Sequence, residues 1–415
     1  MIFALSVALF GHAGAQPRAL DTLGVDTEQA TIPVDEIMSG GPPPQGIPAL
    51  GFTGDRAGAA RPSPAPSFVD QDVASDWLAP QEPVILLDVG GEARIYPLQI
   101  LTWHEIVNDT VAGVPVAVTF CPLCNSALAF DRRVPVSEEQ VDAVRALDGD
   151  ATFTEFPGDL AERYMAQTRR DTAPEQGLEV TFGVSGLLYA SNLLMFDTAS
   201  STLWSQAIGE GTVGTLAGTD LVRYPAPIVS FEDARQAHPG ASVLSRDTGF
   251  QRAYGSNPYV GYDDVGSPAF LFRGETDGRL EAKARVVTFE LGGEPVAYPF
   301  EVLQEVRVVN DEVGGVPVVV VWQPGTRSAL DARQIAQSED VGAVNVFRRT
   351  VDGRTATFAW DGDAVVDEAT GSAWDLFGRA VAGELAGHTL EAVPHENTLW
   401  FAWAAFEPET RIFER

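Results

Sequence analysis

The chain has 415 residues, 45% of them hydrophobic, enough to bury a sizeable core and to make two domains the natural expectation. Lys and Arg total 27 against 58 Asp and Glu, a net charge of −31. Such a surface repels nucleic acid and anionic lipid, because it has no basic excess to displace counterions from phosphates.

At the N-terminus, Ile2 to Phe10 is apolar and Ala13-Gly14-Ala15 reads as a small-x-small cleavage site before Gln16. No Lys or Arg precedes the apolar run, so the true start is expected to lie several residues upstream of Met1. Residues 1–15 are therefore expected to be a signal peptide, and the protein periplasmic or secreted. The alternative is a buried N-terminal strand. No stretch approaches the length needed to span a bilayer. Residues 16–80 form an irregular lead segment, rich in turn formers such as Gly40-Gly41-Pro42-Pro43-Pro44, whose composition cannot hold a core and which should wrap over a domain or stay mobile.

Regular structure begins with a strand at Pro83 to Val89, a turn at Gly90-Gly91 and a strand at Ala93 to Tyr96. Pro97 to Val107 reads as a short helix carrying Trp103, His104 and Glu105. A hairpin around Ala112-Gly113 follows, and its outgoing strand ends in Thr119-Phe120-Cys121-Pro122-Leu123-Cys124-Asn125-Ser126. Residues 134–176 form an excursion with two helices, one capped by Ser137 with Gln140, the other over Asp159 to Asp171. Strands resume at Leu178 to Phe182 and at Leu193 to Asp197.

The pattern then repeats. Gly90-Gly91-Glu92, Tyr96-Pro97, Val107-Asn108-Asp109 and Gly113-Val114-Pro115-Val116 return as Gly292-Gly293-Glu294, Tyr298-Pro299, Val309-Asn310-Asp311 and Gly315-Val316-Pro317-Val318. The match continues through Pro122/Pro324, Ser126/Ser328 and Ala127/Ala329, and returns at a shorter offset in Leu216-Ala217-Gly218 against Leu385-Ala386-Gly387. The expected fold is α+β and β-dominated, with two tandem similar β-rich units and short helices. The first unit is 81–227, a connector runs over 228–283, and the second unit is 284–415.

The second unit is an internal control. Where the first has Cys121, Cys124 and His104, the second has Gln323, Thr326 and Val306, while scaffold residues persist. A structural role would be needed in both units, a chemical role in one. Cys121 and Cys124 are the chain's only cysteines. Structural zinc would need four ligands, and the five histidines show no HxxxH spacing. A permanent disulfide would close so short a loop that it stabilises by on the order of 2 kcal/mol. A redox-active dithiol is the leading reading, with a binding module for Cu(I), held by Cys121, Cys124 and His104, or for a small ligand as the alternative. His104 precedes the cysteine hairpin and is expected to assist as an imidazolium. Glu105, about 100° away on the same helix, is not expected to share that site.

His395 is a distant second candidate, and His238 and His388 read as surface residues. Ser245-Arg246-Asp247-Thr248-Gly249 and Tyr259 to Asp264 read as ordered loops, with pocket lining as the sharper alternative. Trp400 to Phe406 reads as a helix packed on the core. No Walker loop, GxSxG elbow or Rossmann glycine fingerprint is present.

The combination of Ile32 to Pro43, Tyr96 to Asp109, Thr119 to Ala127, Phe182 to Gly186 and Leu244 to Gly249 resembles the DUF3179 domain proteins, a bacterial and archaeal family of uncharacterised function. Some members are named as selenoproteins with selenocysteine in the cysteine motif. The resemblance thus implies a redox role, carried here by Cys121 and Cys124. This chain departs in a Pro/Ala/Arg-rich insertion near Gly51 to Pro66 and in the excursion after Arg133. The expected partner is a redox protein or a small-molecule substrate.

Overall fold

The computed structural model of the protein describes residues 15–54, 62–168 and 170–415. The expected signal segment lies outside them except for Ala15, as does the middle of the Pro/Ala/Arg-rich insertion. The fold is α+β and strand-dominated, with eight small sheets and short helices among the described residues.

The first half opens with β1 (Pro83–Val89) and β2 (Glu92–Pro97), then α1 (Leu98–His104), β3 (Ile106–Val111), β4 (Val114–Cys121) and β5 (Ser126–Asp131). Two tight hairpins organise it. Gly90 and Gly91 both have positive φ, as do Ala112 and Gly113, the backbone that a two-residue turn between right-twisted strands requires. The helix is shorter than expected: Glu105 ends it at φ 58°, ψ −34°, and Ile106 onward is strand. Later come β6 (Ile228–Ser230) and α2 (Phe231–Ala237).

The second half repeats this order as β7 (Arg285–Leu291), β8 (Glu294–Pro299), α3 (Phe300–Val306), β9 (Val308–Val313), β10 (Val316–Gln323) and β11 (Ala343–Arg348). It ends with β12 (Glu396–Leu399) and α4 (Trp400–Ala404). Register repeats too: Val84 faces Pro97 as Val286 faces Pro299, and Ile106 faces Thr119 as Val308 faces Val321. Asp197 accepts from the Thr202 amide and the Trp204 indole, and Asp367 does the same for Ser372 and Trp374. The halves interlock reciprocally. From the second half, Leu399 N–H donates to the Cys124 carbonyl at 2.9 Å; from the first, Asp233 on α2 accepts from Gln323 at the end of β10.

Three expectations need correction. The likeness breaks off after Gln323 and resumes only with β11, since residues 122–125 join β4 to β5 but residues 324–342 join β10 to β11. Ala343, not Ser328, stands where Ser126 does, and Thr326 is not the counterpart of Cys124. Loop 324–342 instead sends Ala329 and Leu330 into the first half's core beside Val107 and Phe120. Secondly, residues 228–244 are not connector: β6 pairs with β1, and Ser242–Leu244 pairs with β2. Thirdly, the lead segment is well ordered where described. Leu20, Leu23, Ile37, Leu50 and Phe52 are buried, and Met38–Ser39 pairs with Phe182–Tyr189. Gly186 permits this wrap, because a Cβ there would meet the Pro42 carbonyl oxygen at 2.1 Å.

The excursion folds as read, with the Ser137–Gln140 capping box on Glu138–Leu147 and a second helix at Gly158–Thr168. Arg133–Val136, Gln176–Glu179 and Phe153–Glu155 form a small sheet beside them. α4 is buried throughout, as expected of a core helix.

Candidate functional site

Cys121 is the last residue of β4 and faces Ser126 on β5, so Pro122 to Asn125 make the whole turn. Pro122 offers no backbone donor, while Cys124 N–H donates to the Cys121 carbonyl and Asn125 takes a positive φ of 53°. The turn brings the two sulfurs to 3.0 Å as free thiols. Both are buried, Cys121 at 2% and Cys124 at 0% exposure.

Cys124 Sγ donates to Asn192 Oδ1 at 2.9 Å. The Asn192 amide nitrogen donates to the Ala190 and Ala402 carbonyls, which fixes its oxygen towards the sulfur. Burial, followed by the neighbouring Cys121, pushes the Cys124 thiol well up. Thr398 Oγ1 and Leu399 N–H both donate to the Cys124 carbonyl, so a strand of the second half pins the turn of the first.

Glu105 belongs to this cluster, contrary to expectation. The 100° rule applies within a helix, and Glu105 has left it: at φ 58° its carbonyl accepts from Phe120 N–H at 2.8 Å, one residue before Cys121. The residue is only 8% exposed, its carboxyl makes no hydrogen bond among the described residues, and burial raises its pKa to about 8. Its charge acts on Cys124 and on Tyr259. In the second half Arg307 holds the same place, with φ 65° and a bond from Trp322 N–H, and its guanidinium stacks on Trp322 at 4.5 Å. A sequence signal existed: acid and cysteine are replaced together, as Arg307 and Gln323.

Residues 249–283 form a strap over the sulfurs. The phenols of Tyr259 and Tyr262 interact with the cysteines, and burial raises both pKa values. The buried Tyr262 hydroxyl has no hydrogen-bond partner among the described residues. Lys283 lies 3.8 Å over the Tyr262 ring and donates to Ser267 Oγ; burial lowers its pKa. The outer face of α1 holds the strap and the loop before it. Gln99 accepts from Arg246, Trp103 Nε1 donates to the Ser256 carbonyl, and His104 meets Tyr254.

His104 is thus placed away from the role expected of it. Its Nδ1 lies 2.8 Å from the Pro48 carbonyl, which can only accept, so Nδ1 carries the proton and Nε2 accepts from the Tyr254 hydroxyl at 2.6 Å. Burial lowers its pKa to about 4, so the ring is neutral and neither nitrogen bonds a sulfur. The Tyr254 hydroxyl bonds Thr248 in turn, which explains the polar stretch at Ser245 to Gly249 as an anchor. Among the described residues no group of three or more His, Cys, Asp or Glu side chains is placed to hold a metal. The three-ligand copper site of Cys121, Cys124 and His104 is therefore not assembled.

His395 and Glu396 line a cavity of about 300 Å³ between the halves, with Arg223, Glu290, Trp403 and Phe406. Glu396 is buried, its pKa is raised by that burial, and its charge acts on Cys124. His238 is half-buried near Asp88, and His388 lies on the surface near Asp352. No helix of the described chain is long and apolar enough to cross a membrane.

No curated protein and no solved structure matches the chain. The sequence model of one family, described as a protein of unknown function (DUF3179), matches residues 44–410, taking in both halves, the cysteine turn and the strap. The chain belongs to the DUF3179 family.

Proposed function

We propose that this protein is an exported thiol–disulfide oxidoreductase in which Cys121 is the attacking sulfur and Cys124 the resolving one. The observation that carries this reading is the pair of free thiols 3.0 Å apart in one tight turn. In the forward direction the Cys121 thiolate attacks a sulfur of a substrate disulfide and expels the other sulfur as a thiolate. Cys124 then attacks Cys121, releasing the second substrate thiol and leaving a Cys121–Cys124 disulfide. Two electrons pass from the dithiol to the substrate. Cys124, held by Asn192 and kept protonated by burial, suits the second step rather than the first.

The repeated element order supports reading the chain as a tandem duplication in which one unit kept the chemistry and the other became scaffold. Export is supported by the apolar leader and small-residue site before Gln16. Leu20 and Leu23 are packed in the core just beyond it, so cleavage after Ala15 leaves the helix Ala15–Leu23 nearly whole.

Equilibration of the purified protein in glutathione buffers, with thiols counted by alkylation and mass, tests the proposal. The pair should interconvert reversibly at a potential above about −300 mV, and both Cys121→Ser and Cys124→Ser should abolish the two-electron step. A potential below about −300 mV indicates an inert structural bridge instead. In the Cys124→Ser variant Cys121 should form a stable mixed disulfide; if only the Cys121→Ser variant forms one, the roles are reversed.

A further inference from the structure

We infer that Glu105 is the proton-exchanging group of the dithiol, a role that rests on the redox reading above. The inference begins with backbone geometry. Glu105 is driven out of α1 by its positive φ and tied through its carbonyl to Phe120, the residue before Cys121, and its carboxyl interacts with Cys124 of the same turn and with Tyr259 of the strap. Such a backbone is unfavourable for a residue with a Cβ, and it recurs at Arg307, so the scaffold imposes it and the side chain is what differs. Where the cysteine is present the position holds an acid. Where Gln323 replaces the cysteine it holds a base that turns away onto Trp322 and Trp360.

The carboxyl's surroundings suit proton exchange rather than structure. A buried structural carboxylate is ordinarily held by hydrogen bonds or a cation, and Glu105 has neither among the described residues. Its neighbour His104 uses both ring nitrogens elsewhere and is neutral. The titratable groups that interact with the site are Cys121 and Cys124 from the turn, Tyr259 and Tyr262 from the strap, and Glu396 from β12. Lys283 is spent on the Tyr262 ring, the Tyr262 carbonyl and Ser267. Among the described residues no cation acts on Cys124, so a proton released by the dithiol needs an acceptor nearby.

The proton ledger closes on this one group. The Glu105 carboxylate takes the Cys121 proton as the thiolate forms. The resulting carboxylic acid protonates the first substrate sulfur to leave. The carboxylate then takes the Cys124 proton as that sulfur attacks Cys121, and returns it to the second departing sulfur. Overall the dithiol gives two electrons and two protons to one substrate disulfide, yielding two substrate thiols and the Cys121–Cys124 disulfide.

The test is the pH dependence of disulfide reduction by the reduced protein, with a small dithiobenzoate disulfide as probe, in wild type, Glu105→Gln and Glu105→Asp. Wild type should gain rate as pH rises through about 8, where the carboxyl ionises. Glu105→Gln should lose that limb and fall at least tenfold at pH 8, while the cysteine pair still oxidises reversibly in glutathione buffer. Glu105→Asp should retain a limb at a shifted position, and it carries the test alone if the glutamine variant does not fold. An unchanged profile in the variants, with reversible oxidation intact, overturns the role of Glu105 and leaves the redox reading standing. Failure of the pair to oxidise reversibly in wild type overturns that reading itself.

Discussion

At the scale of single residues, neighbouring side chains on one short helix end in different worlds. His104 completes α1 between the lead segment and the strap, where Pro48 of the one and Tyr254 of the other take its two nitrogens. Glu105, one residue on, has left the helix and acts on Cys124 and Tyr259. The histidine's burial has a direct consequence: its ring should stay neutral down to about pH 4. Nuclear magnetic resonance of the ring protons should show no titration of His104 between pH 8 and 5.5. A midpoint near 6.5 for His104 would mean that the ring is reached by solvent and that its bond to the Pro48 carbonyl is not maintained.

At the scale of elements, the dithiol is a floor and residues 249–283 are its roof. Reaction with any substrate larger than a proton requires the roof to move, because both sulfurs are closed off. The fastening that matters is the contact of the preceding loop with α1, where Arg246 bonds Gln99 and stacks on Trp77 at 4.7 Å. Replacing Arg246 with Ala should loosen it without touching the sulfurs. Alkylation of the cysteines by iodoacetamide under native conditions should accelerate roughly tenfold, since a tenfold rise in the open population corresponds to about 1.4 kcal/mol, within the range of such cation–π contacts and charged hydrogen bonds. Identical rates in the variant and wild type would place the barrier to access elsewhere, with the 300 Å³ cavity behind Glu396 the next route to probe.

At the scale of the whole molecule, the interlocked halves make stability and site chemistry inseparable. A carboxyl with a folded pKa of about 8 against an ordinary 4.5 binds its proton more tightly in the native state. The stability it contributes is complete below about pH 4.5 and is lost as pH rises to about 8. His104 works the other way, its lowered pKa costing stability as pH falls from about 6.5 to 4. The difference between wild type and Glu105→Gln isolates the first effect. Denaturant unfolding should show the wild type losing ground to the variant from pH 5 to pH 9, by a few kcal/mol at most. A constant difference across that window would mean that the carboxyl is solvated and that its site is open.

Much of this was legible in the chain itself. Local rules sufficed for the glycine-bearing hairpins, the Ser137 capping box, the α4 core helix and the repeated register, because each rests on residues a few positions apart. The cysteine pair was equally plain, as the only two thiols with a spacing that one turn closes. Other features needed the assembled molecule. Glu105 joins the site through a single backbone angle, His104 leaves it because Pro48 and Tyr254 are brought to it from distant segments, and the pairing of Thr326 with Cys124 dissolves once loop 324–342 is seen to serve another core. Sequence determined which side chains were available and where the strands would run. Tertiary structure decided which of them share a dry, low-dielectric space, because burial and hydrogen-bond partners are set by segments far apart in the chain.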